Sequence, residues 1–262
     1  MTTVLVTGGT GHLGRRVCHA LTAAGHAVRV LNRTVPQAPV VGAQIALGDL
    51  STGSGLLEAV SGTSAIVHCA TDPKNARTVD VGGTERLLHA AREAGRPHVV
   101  YISIVGVDRL PLEYYRAKLA AEKAIERSGL PWTVLRTTQF HEFVLQSVDR
   151  LIGLPVVPVP RGWRVQPIDA DEVARRLAEA VASGPGGRLP DVGGPDVLAV
   201  ADLVRDRLRE RARRRLVLSL PLPGASAAAL RAGANIVPRS PGGGRTWRGF
   251  LDARPRHQLQ PR

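Results

Sequence analysis

Short apolar runs alternate with longer segments of helical periodicity through the first half of the chain. The runs are rich in Val, Ile, Leu and Ala, which is typical of strands buried on both faces of a parallel sheet. The predicted strands are residues 4–6, 27–31, 44–47, 65–69, 98–102 and 133–135. The helical segments after the first and fourth strands end at Gly25 and Gly95, since glycine commonly stops helices. The repeated order of strand and helix predicts an α/β fold with a doubly wound, mainly parallel sheet.

The alternation of strand and helix loosens after residue 136. Residues 153–163 are rich in proline and are predicted to form an extended loop. Residues 169–184 and 201–214 have helical periodicity, and a short Ala-rich helix is predicted to end at Gly233. We expect residues 137–262 to form a smaller mixed α/β portion that is integrated with residues 1–136 and is not a separate domain.

A glycine-rich loop follows the first predicted strand and stands where a helix opens. Its GxGxxG spacing permits a tight turn and a close approach of the backbone to a pyrophosphate. Free amides at the start of the helix then face the anionic phosphates. A purely structural glycine turn is the alternative, but the position between strand and helix favours a dinucleotide site. The predicted cofactor-binding residues of the loop are Gly8, Thr10, Gly11, His12, Leu13 and Gly14.

The second predicted strand leads into Asn32 and Arg33, with no carboxylate at its end. An acidic residue there binds the ribose hydroxyls of NAD, whereas an arginine forms charge-assisted bonds to the 2′-phosphate of NADP. We therefore expect both residues to bind the cofactor, and NADP(H) to be preferred over NAD(H). A solvated surface cation is the alternative role for Arg33 in this arginine-rich chain.

Further cofactor contacts are predicted where the third and fourth strands end, because the carboxyl ends of parallel strands meet at one edge of a sheet. Asp49 follows the third strand and is expected to meet the adenine amine beside Leu50; a turn or helix-capping role is the alternative for Asp49. Ala70 and Thr71 follow the fourth strand and are expected to border the adenine ribose or the pyrophosphate.

Tyr114 stands four residues before Lys118 in a segment, residues 112–128, that is predicted to be helical. Tyr114 falls within the apolar arc of this helix and Lys118 at its edge, away from the other charges. Because a nearby ammonium favours the phenolate, we expect Lys118 to lower the pKa of Tyr114 by roughly 1 to 3 units. Tyr114 could then protonate an oxygen while hydride arrives at the neighbouring carbon, with Lys118 bonded to the nicotinamide ribose. Plain packing is the alternative.

The segments TGGTGHLG, LGD, VVYISIVGV and YYRAK, in this order, resemble the short-chain dehydrogenase/reductase superfamily in its atypical, NmrA-like NAD(P)-binding branch. The resemblance implies a Rossmann fold over residues 1–136, with NADP(H) at the strand ends. It also implies that backbone near residues 138–140 flanks the nicotinamide and that the C-terminal part forms the substrate cleft. Phe140 is therefore a predicted cofactor and substrate contact, and His141 a substrate contact or a structural histidine.

One position departs from the pattern of this superfamily. Many relatives follow the fifth strand with a Ser–Ser or Ser–Thr pair whose second member orients the substrate carbonyl, whereas that second position here is Ile104. Ser103 is the candidate that could replace it, beside the catalytic pair Tyr114 and Lys118; the alternative is that no serine takes part. The resemblance also covers proteins that bind the dinucleotide as redox sensors without turning anything over.

Two function classes follow from these residues. The first is an NADPH-dependent oxidoreductase that transfers hydride to a carbonyl, enone or quinone of an apolar small molecule. The second is a non-catalytic NADP(H)-binding regulator. Retention of Tyr114 with Lys118 favours the enzyme, while Ile104 and the basic helix near residues 209–215 favour the regulator.

The charge and composition of the chain indicate which classes of partner it can bind. The net charge of +13 invites a nucleic-acid interpretation, but the arginines are scattered and no aromatic side chains interleave with the basic run at residues 209–215. We expect neither a nucleic acid nor a membrane as partner. His12, His19 and His26 are about 10 Å apart along a helix, too far to share a metal ion, so no metal site is predicted. Two distant cysteines and the lack of a signal-like segment favour the cytoplasm.

Overall fold

A seven-stranded sheet forms the centre of the chain in the computed structural model, which describes residues 2–38, 40–240 and 242–254. The strand order is β3-β2-β1-β4-β5-β6-β9, and neighbouring strands run parallel. The strands are β1 Thr3–Thr7, β2 Ala27–Asn32, β3 Ala43–Leu47, β4 Ala65–His68, β5 His98–Ile104, β6 Trp132–Thr137 and β9 Gly187–Arg188. This confirms the predicted α/β, doubly wound parallel sheet.

Helices connect these strands and supply the apolar faces that cover them. Those that belong with the sheet are α1 His12–Ala23, α2 Leu56–Val60, α3 Thr84–Glu93, α4 Glu113–Glu126 and α6 Ala170–Ser183. A π-helical segment, Arg77–Gly83, runs directly into α3. The core of this part contains side chains from the strands, such as Leu5 and Ile66, packed with α4 residues such as Ile125.

The chain divides into two compact units. The first consists of residues 1–108, 112–136 and 170–190, and the second of residues 109–111, 137–169 and 191–262. One division between the units follows residue 136, whereas α6 and β9, which lie beyond that residue, belong to the first unit. The predicted integration of the two parts stays a prediction.

The second unit has its own core and small sheets. Its helices are α5 His141–Ile152, α7 Val200–Glu210, α8 Ala225–Arg231 and α9 Trp247–Asp252; its strands are β7 Val156–Pro160, β8 Arg164–Val165, β10 Leu198–Ala199 and β11 Leu216–Leu220. The prediction of a loop over residues 153–163 is therefore wrong in part, because β11 pairs in parallel with β7. Prolines at 158 and 160 are tolerated because β11 is the single partner of β7 in the described part of the chain, so no strand on its other side requires their missing N–H groups. Within the described ranges, no helix has the length and apolarity needed to cross a membrane.

Candidate functional site

The glycine loop joins β1 to α1 through a tight turn. Gly8 has φ +68°, and its carbonyl oxygen accepts a hydrogen bond of 2.9 Å from the amide of Gly11. A Cβ at Gly14 would lie 2.1 Å from that same carbonyl oxygen. The first turn of α1 can pack this closely on the loop only because residue 14 has no side chain.

The start of α1 leaves backbone amides for an anion. Gly11 occupies the N-cap, where it has no side chain to bond these amides, and the first turn contains no acidic residue. The helix dipole adds positive potential at the same point. Of the other predicted contacts, Leu13 is buried, and the His12 ring lies 3.2 Å from a guanidinium nitrogen of Arg16. The loop therefore fits a pyrophosphate held by backbone groups.

The loop lies at the point where the strand order reverses. Strands β2 and β3 extend from one side of β1 and β4 from the other, and ligands of such sheets bind at this switch point. A Cβ on Gly8 would lie 2.8 Å from the backbone of Ala70, so the end of β4 closely approaches the loop. The Ala70 amide also donates to the Thr7 hydroxyl at 3.2 Å. The structure thus brings Gly8 and Ala70 together, as predicted for one edge of the sheet.

A buried histidine, not predicted from the sequence, ties these strands to the π-helical segment. Thr84 donates its hydroxyl proton to the carbonyl of Asp80 at 2.5 Å, so it accepts from His68 Nε2 at 2.9 Å. His68 Nδ1 then accepts from the Thr7 hydroxyl at 2.6 Å. Burial and, to a lesser extent, the positive charge of Lys118 together lower the pKa of His68 to about 3. The neutral ring is therefore a fixed structural link.

Asn32 and Arg33 stand at the end of β2, where the adenosine ribose is predicted. The Asn32 side chain donates to the Thr34 carbonyl at 2.6 Å and accepts from the Thr10 hydroxyl at 3.4 Å. Arg33 is exposed, and its guanidinium makes no hydrogen bond within the described part of the chain. Its positive charge contributes to lowering the pKa of Asp49. An anion at this corner would thus meet one unengaged guanidinium.

Asp49 acts as a turn residue in this structure. Its carboxylate accepts from the Ser51 hydroxyl at 2.7 Å and from the Ser51 amide at 2.8 Å, and these bonds lower its pKa. Leu50 is buried and packs against Gly83, where a Cβ would lie 3.0 Å from the Leu50 side chain. The turn role is therefore observed, and the contact of Asp49 with adenine stays a prediction.

Tyr114 belongs to a hydrogen-bond chain that ends on a buried carboxylate. The Thr71 hydroxyl donates to Asp80 Oδ1 at 2.6 Å and lies 2.9 Å from the Tyr114 hydroxyl. Because the single proton of Thr71 goes to the carboxylate, Tyr114 donates its own proton to Thr71. The amide of Asp72 donates to the second oxygen of Asp80 at 3.0 Å. Thr71, placed by the sequence beside the cofactor, is thereby joined to the predicted catalytic tyrosine.

Lys118 points into the interior of the first unit. Its side chain is 3% exposed, its Nζ donates to the Ile102 carbonyl at 2.9 Å, and it lies 4.2 Å from the centre of the Tyr101 ring. Burial lowers the pKa of Lys118 to about 8, while the carboxylates of Asp80 and Glu122 act in the opposite direction. The ammonium is therefore held by a carbonyl, a ring face and two acidic neighbours.

The expected effect of Lys118 on Tyr114 is wrong for this structure. The pKa of Tyr114 is raised to about 12, first by burial of the phenol and then by the negative charge of Asp80 and the neighbouring Tyr115. The Thr71 hydroxyl, 2.9 Å from the phenol oxygen, acts to lower the pKa of Tyr114 and does not reverse this shift. The tyrosine is consequently a neutral phenol at neutral pH.

Asp80 is the site residue that sequence reasoning missed. It is 1% exposed and lies in the π-helical segment, a geometry that often marks functional sites. A signal was present, because Asp80 stands four residues before Thr84 and seven or eight before Leu87 and Leu88, which form the buried face of α3. An acidic residue that continues an apolar helix face needs a buried partner.

Ser103 lies inside the protein at the end of β5. Its side chain is 2% exposed, and its hydroxyl has no hydrogen-bond partner among the residues that the structure describes. The next residue, Ile104, is partly exposed, as expected because consecutive side chains of a strand point to opposite faces. The structure therefore does not present Ser103 to solvent, and its proposed replacement of the superfamily serine lacks support.

An ion-pair network with a buried Glu122–Arg136 pair at its centre supports the helix that carries Tyr114 and Lys118. Glu122 lies one turn beyond Lys118 and accepts two bonds from Arg136, at 2.9 and 2.6 Å. The same guanidinium donates to Asp108 at 2.8 Å. The three charges join α4, β6 and the turn after β5, and they hold the pKa of Arg136 above its usual range.

Phe140 and His141 belong to the second unit. Phe140 caps α5 and forms a bridge with Ile168. His141 is buried, its Nε2 lies 2.9 Å from the Arg245 carbonyl oxygen, and its ring stacks on Phe250 with centres 4.8 Å apart. These contacts are typical of a structural histidine, and contact of His141 with a substrate stays a prediction. No group of three potential metal ligands occurs in residues 2–38, 40–240 and 242–254.

Comparison with known proteins agrees with the glycine loop and the sheet. Residues 8–183, which make up more than half of the chain, match the family described as NAD(P)H-binding. The chain belongs to this NAD(P)H-binding family. The membership confirms the NAD(P)-binding family resemblance that the sequence motifs indicated.

Named relatives and a solved structure lie within the same family or fold. A (4-alkanoyl-5-oxo-2,5-dihydrofuran-3-yl)methyl phosphate reductase of Streptomyces griseus is 30% identical over 76% of this chain and 70% of its own length. The photosystem II assembly factor Ycf39 of Trieres chinensis is 28% identical over 66% of this chain, which spans only 57% of that protein. The NADPH complex of quinone oxidoreductase QOR2 from Escherichia coli has a TM-score of 0.77 at 18% identity, with 89% and 91% of the two chains covered.

Proposed function

We propose that this family member is an NADPH-dependent oxidoreductase that transfers hydride to a carbonyl, enone or quinone of an apolar small molecule. The observation that carries the proposal is the hydrogen-bond chain from the half-buried Tyr114 through the exposed Thr71 to the buried Asp80, with the buried Lys118 in the same unit as the glycine loop. Plain packing does not require a lysine 3% exposed beside a buried carboxylate, because such charges are costly to bury. The reductase name of the Streptomyces relative supports the same reaction class.

The residues of the loop would hold the cofactor by its phosphates. The amides that open α1 would bind the pyrophosphate. Lys118, which donates to the Ile102 carbonyl in this structure, would turn its ammonium toward the nicotinamide ribose when the cofactor binds. Bound NADPH supplies the hydride. Arg33 supports a preference for NADP(H), because its unengaged guanidinium stands at the end of β2, where a 2′-phosphate is recognised.

The protonation state of Tyr114 supports reduction as the working direction. With a pKa of about 12, the phenol carries its proton at neutral pH and can act as a general acid toward the substrate oxygen. Its proton points to Thr71 in this structure, so the hydroxyl must rotate toward the substrate before transfer. The proton then moves from Tyr114 to the oxygen as the adjacent carbon receives hydride. Phe140 stays the proposed contact to the nicotinamide and substrate.

The test is NADPH consumption, followed by its absorbance, with a panel of quinones, enones and ketones. Tyr114→Phe should lower kcat by about 100-fold or more with NADPH affinity unchanged, because only the transferable proton is lost. Tyr115→Phe is the matched control, with the same atom removed from the neighbouring residue, and should retain activity within about threefold. Equal activity of Tyr114→Phe and wild type would refute the assignment of the acid.

A second candidate is a non-catalytic NADP(H)-binding regulator. It is favoured by one observation: Ser103 is buried and Ile104 takes the position of the carbonyl-orienting residue. Tight NADPH binding without consumption of NADPH by any panel member would favour the regulator. The cytoplasmic location stays a prediction for either function.

A further inference from the structure

The small parallel sheet of the second unit has an unusual outer face. Strands β7 and β11 pair in register, with Leu216 opposite Val156, Leu218 opposite Pro158 and Leu220 opposite Pro160. Leu216, Leu218 and Leu220 are 60%, 41% and 43% exposed, and Val156 is 40% exposed. The alternate residues Val157 and Val159 are buried in the core of the unit. Sheets with one solvated face normally place polar residues there, so this apolar face requires an explanation.

We call this surface the leucine face: Val156, Leu216, Leu218 and Leu220, continued by Leu222, which is 40% exposed. The four leucines alternate along one strand and its extension. At about 3.3 Å per residue, this row spans about 20 Å. A row of that length exceeds the scattered single apolar residues that any protein surface carries.

Arginines lie at both ends of the leucine face. Arg213, Arg214 and Arg215 come immediately before β11, and their side chains make no hydrogen bond or ion pair within the described residues. They line an open depression of about 390 Å³ together with Arg205 and Arg209, which pair with Asp202 and Asp206. At the other end, the guanidinium of Arg161 donates to the Ser219 carbonyl at 3.3 Å, and that of Arg231 donates to the Leu222 carbonyl at 2.8 Å.

We propose that the leucine face and its flanking arginines dock on the surface of an anionic phospholipid bilayer. A bilayer surface presents phosphates in one layer and hydrocarbon in the next, which matches cations at the ends of an apolar row. A second copy of the chain is disfavoured by its net charge of +13. A nucleic acid would engage the arginines but leave the leucines without a contact, and the face has no aromatic platform for bases.

An acidic protein segment fits the face less well than lipid. Such a segment pairs best with cations interspersed among apolar residues, whereas three unengaged arginines here form one block before the strand. No membrane partner was expected from the sequence because the chain contains no apolar stretch long enough for a membrane span, and docking on a bilayer surface requires none. The proposal concerns surface docking and stands whether or not the chain is a reductase.

Flotation with vesicles tests the proposal. Wild-type protein should float with vesicles of phosphatidylcholine and phosphatidylglycerol at 70:30, should not float with pure phosphatidylcholine, and should lose binding as salt is raised. Leu216→Ser/Leu218→Ser/Leu220→Ser and Arg213→Ala/Arg214→Ala/Arg215→Ala should each lower the partition coefficient by at least about tenfold. The matched control removes three exposed arginines elsewhere, Arg116→Ala/Arg127→Ala/Arg239→Ala, and should bind like wild type.

The results of these binding experiments distinguish a lipid bilayer from the other possible partners of the leucine face. All altered side chains are outside the core, and unchanged thermal unfolding verifies that each variant is folded. Absence of binding to anionic vesicles overturns the proposal. Equal weakening by the two arginine variants, with no effect of the serine variant, also overturns it, since the attraction is then general charge. Tighter binding to a polynucleotide or a poly-glutamate peptide than to vesicles, insensitive to the leucines, assigns the surface to those partners instead.

Discussion

Replacing Gly14 by alanine tests the closest backbone approach in the glycine loop. The new Cβ would lie 2.1 Å from the Gly8 carbonyl oxygen and 2.7 Å from the Gly9 Cα. Contacts below 3.0 Å are essentially never found, so loop and helix must separate by at least 0.9 Å, the difference between 3.0 and 2.1 Å. The fold itself should persist, because alanine is the better helix former by about 0.5 to 1 kcal/mol.

The effect on dinucleotide binding follows from this displacement. A charge-assisted amide–phosphate bond of about 2.8 Å becomes about 3.7 Å long, which is no longer a hydrogen bond. Loss of one or two such bonds costs about 2 to 4 kcal/mol. Because 1.4 kcal/mol corresponds to a factor of ten, Kd for NADPH should rise between about 30-fold and 1,000-fold.

Fluorescence titration of NADPH measures this change, and Gly25→Ala is the control. Gly25 follows the other end of α1, has φ +83°, and would place a Cβ in open space. That variant should lose about 1 kcal/mol of stability through backbone strain but bind NADPH normally. Equal affinity of Gly14→Ala and wild type would show that the phosphates do not lie on this loop.

Three further predictions concern the surroundings of the site. His68→Gln should make the free energy of unfolding less sensitive to acid. The pKa of His68 is about 3 in the folded protein and near 6.5 in the unfolded chain, so its stabilising contribution is lost as the pH falls from about 6.5 toward 3, by up to about 1.4 kcal/mol per pH unit. Urea unfolding at pH 7, 5 and 4 measures this dependence, and the same dependence in wild type and variant would contradict the prediction. Glu122→Gln leaves Asp108 as the one ionic partner of the buried Arg136 among the described residues and should lower the free energy of unfolding in urea by about 3 to 5 kcal/mol. A loss under about 1 kcal/mol would mean that the network contributes little to stability. Ser103→Ala removes a buried hydroxyl that has no hydrogen-bond partner among the described residues. It should change the free energy of unfolding by less than about 1 kcal/mol and leave NADPH turnover unchanged. A tenfold loss of kcat would instead support a catalytic role for Ser103.

The sheet could be predicted because each of its major strands carries its own apolar run. Likewise, the glycine spacing directly encodes a close backbone approach, which the contact of Gly14 with Gly8 realises. Strand β7 could not be predicted in the same way: its prolines oppose pairing, and only β11, more than fifty residues later, makes the strand stable. Local sequence patterns therefore predict the strands that carry their own apolar run, but not a strand that depends on pairing with a distant segment.

The electrostatics of the site depended on contacts between distant segments. The sequence placed Tyr114 and Lys118 one turn apart, but the ammonium reaches the Ile102 carbonyl on β5 while the phenol reaches Thr71 after β4. Burial and the carboxylate of Asp80 then raise the pKa of Tyr114, the reverse of the expected direction. Helical spacing predicts which residues neighbour each other on a helix, and it cannot predict what faces them from other elements.

Calorimetric titration with NADPH and NADH tests the central claim most directly, because it asks whether the glycine loop and Arg33 form a dinucleotide site. We predict saturable heat with NADPH, weaker binding of NADH, and a loss of about 10- to 100-fold in NADPH affinity for Arg33→Ser with NADH affinity unchanged. Absence of heat with either dinucleotide would contradict the account.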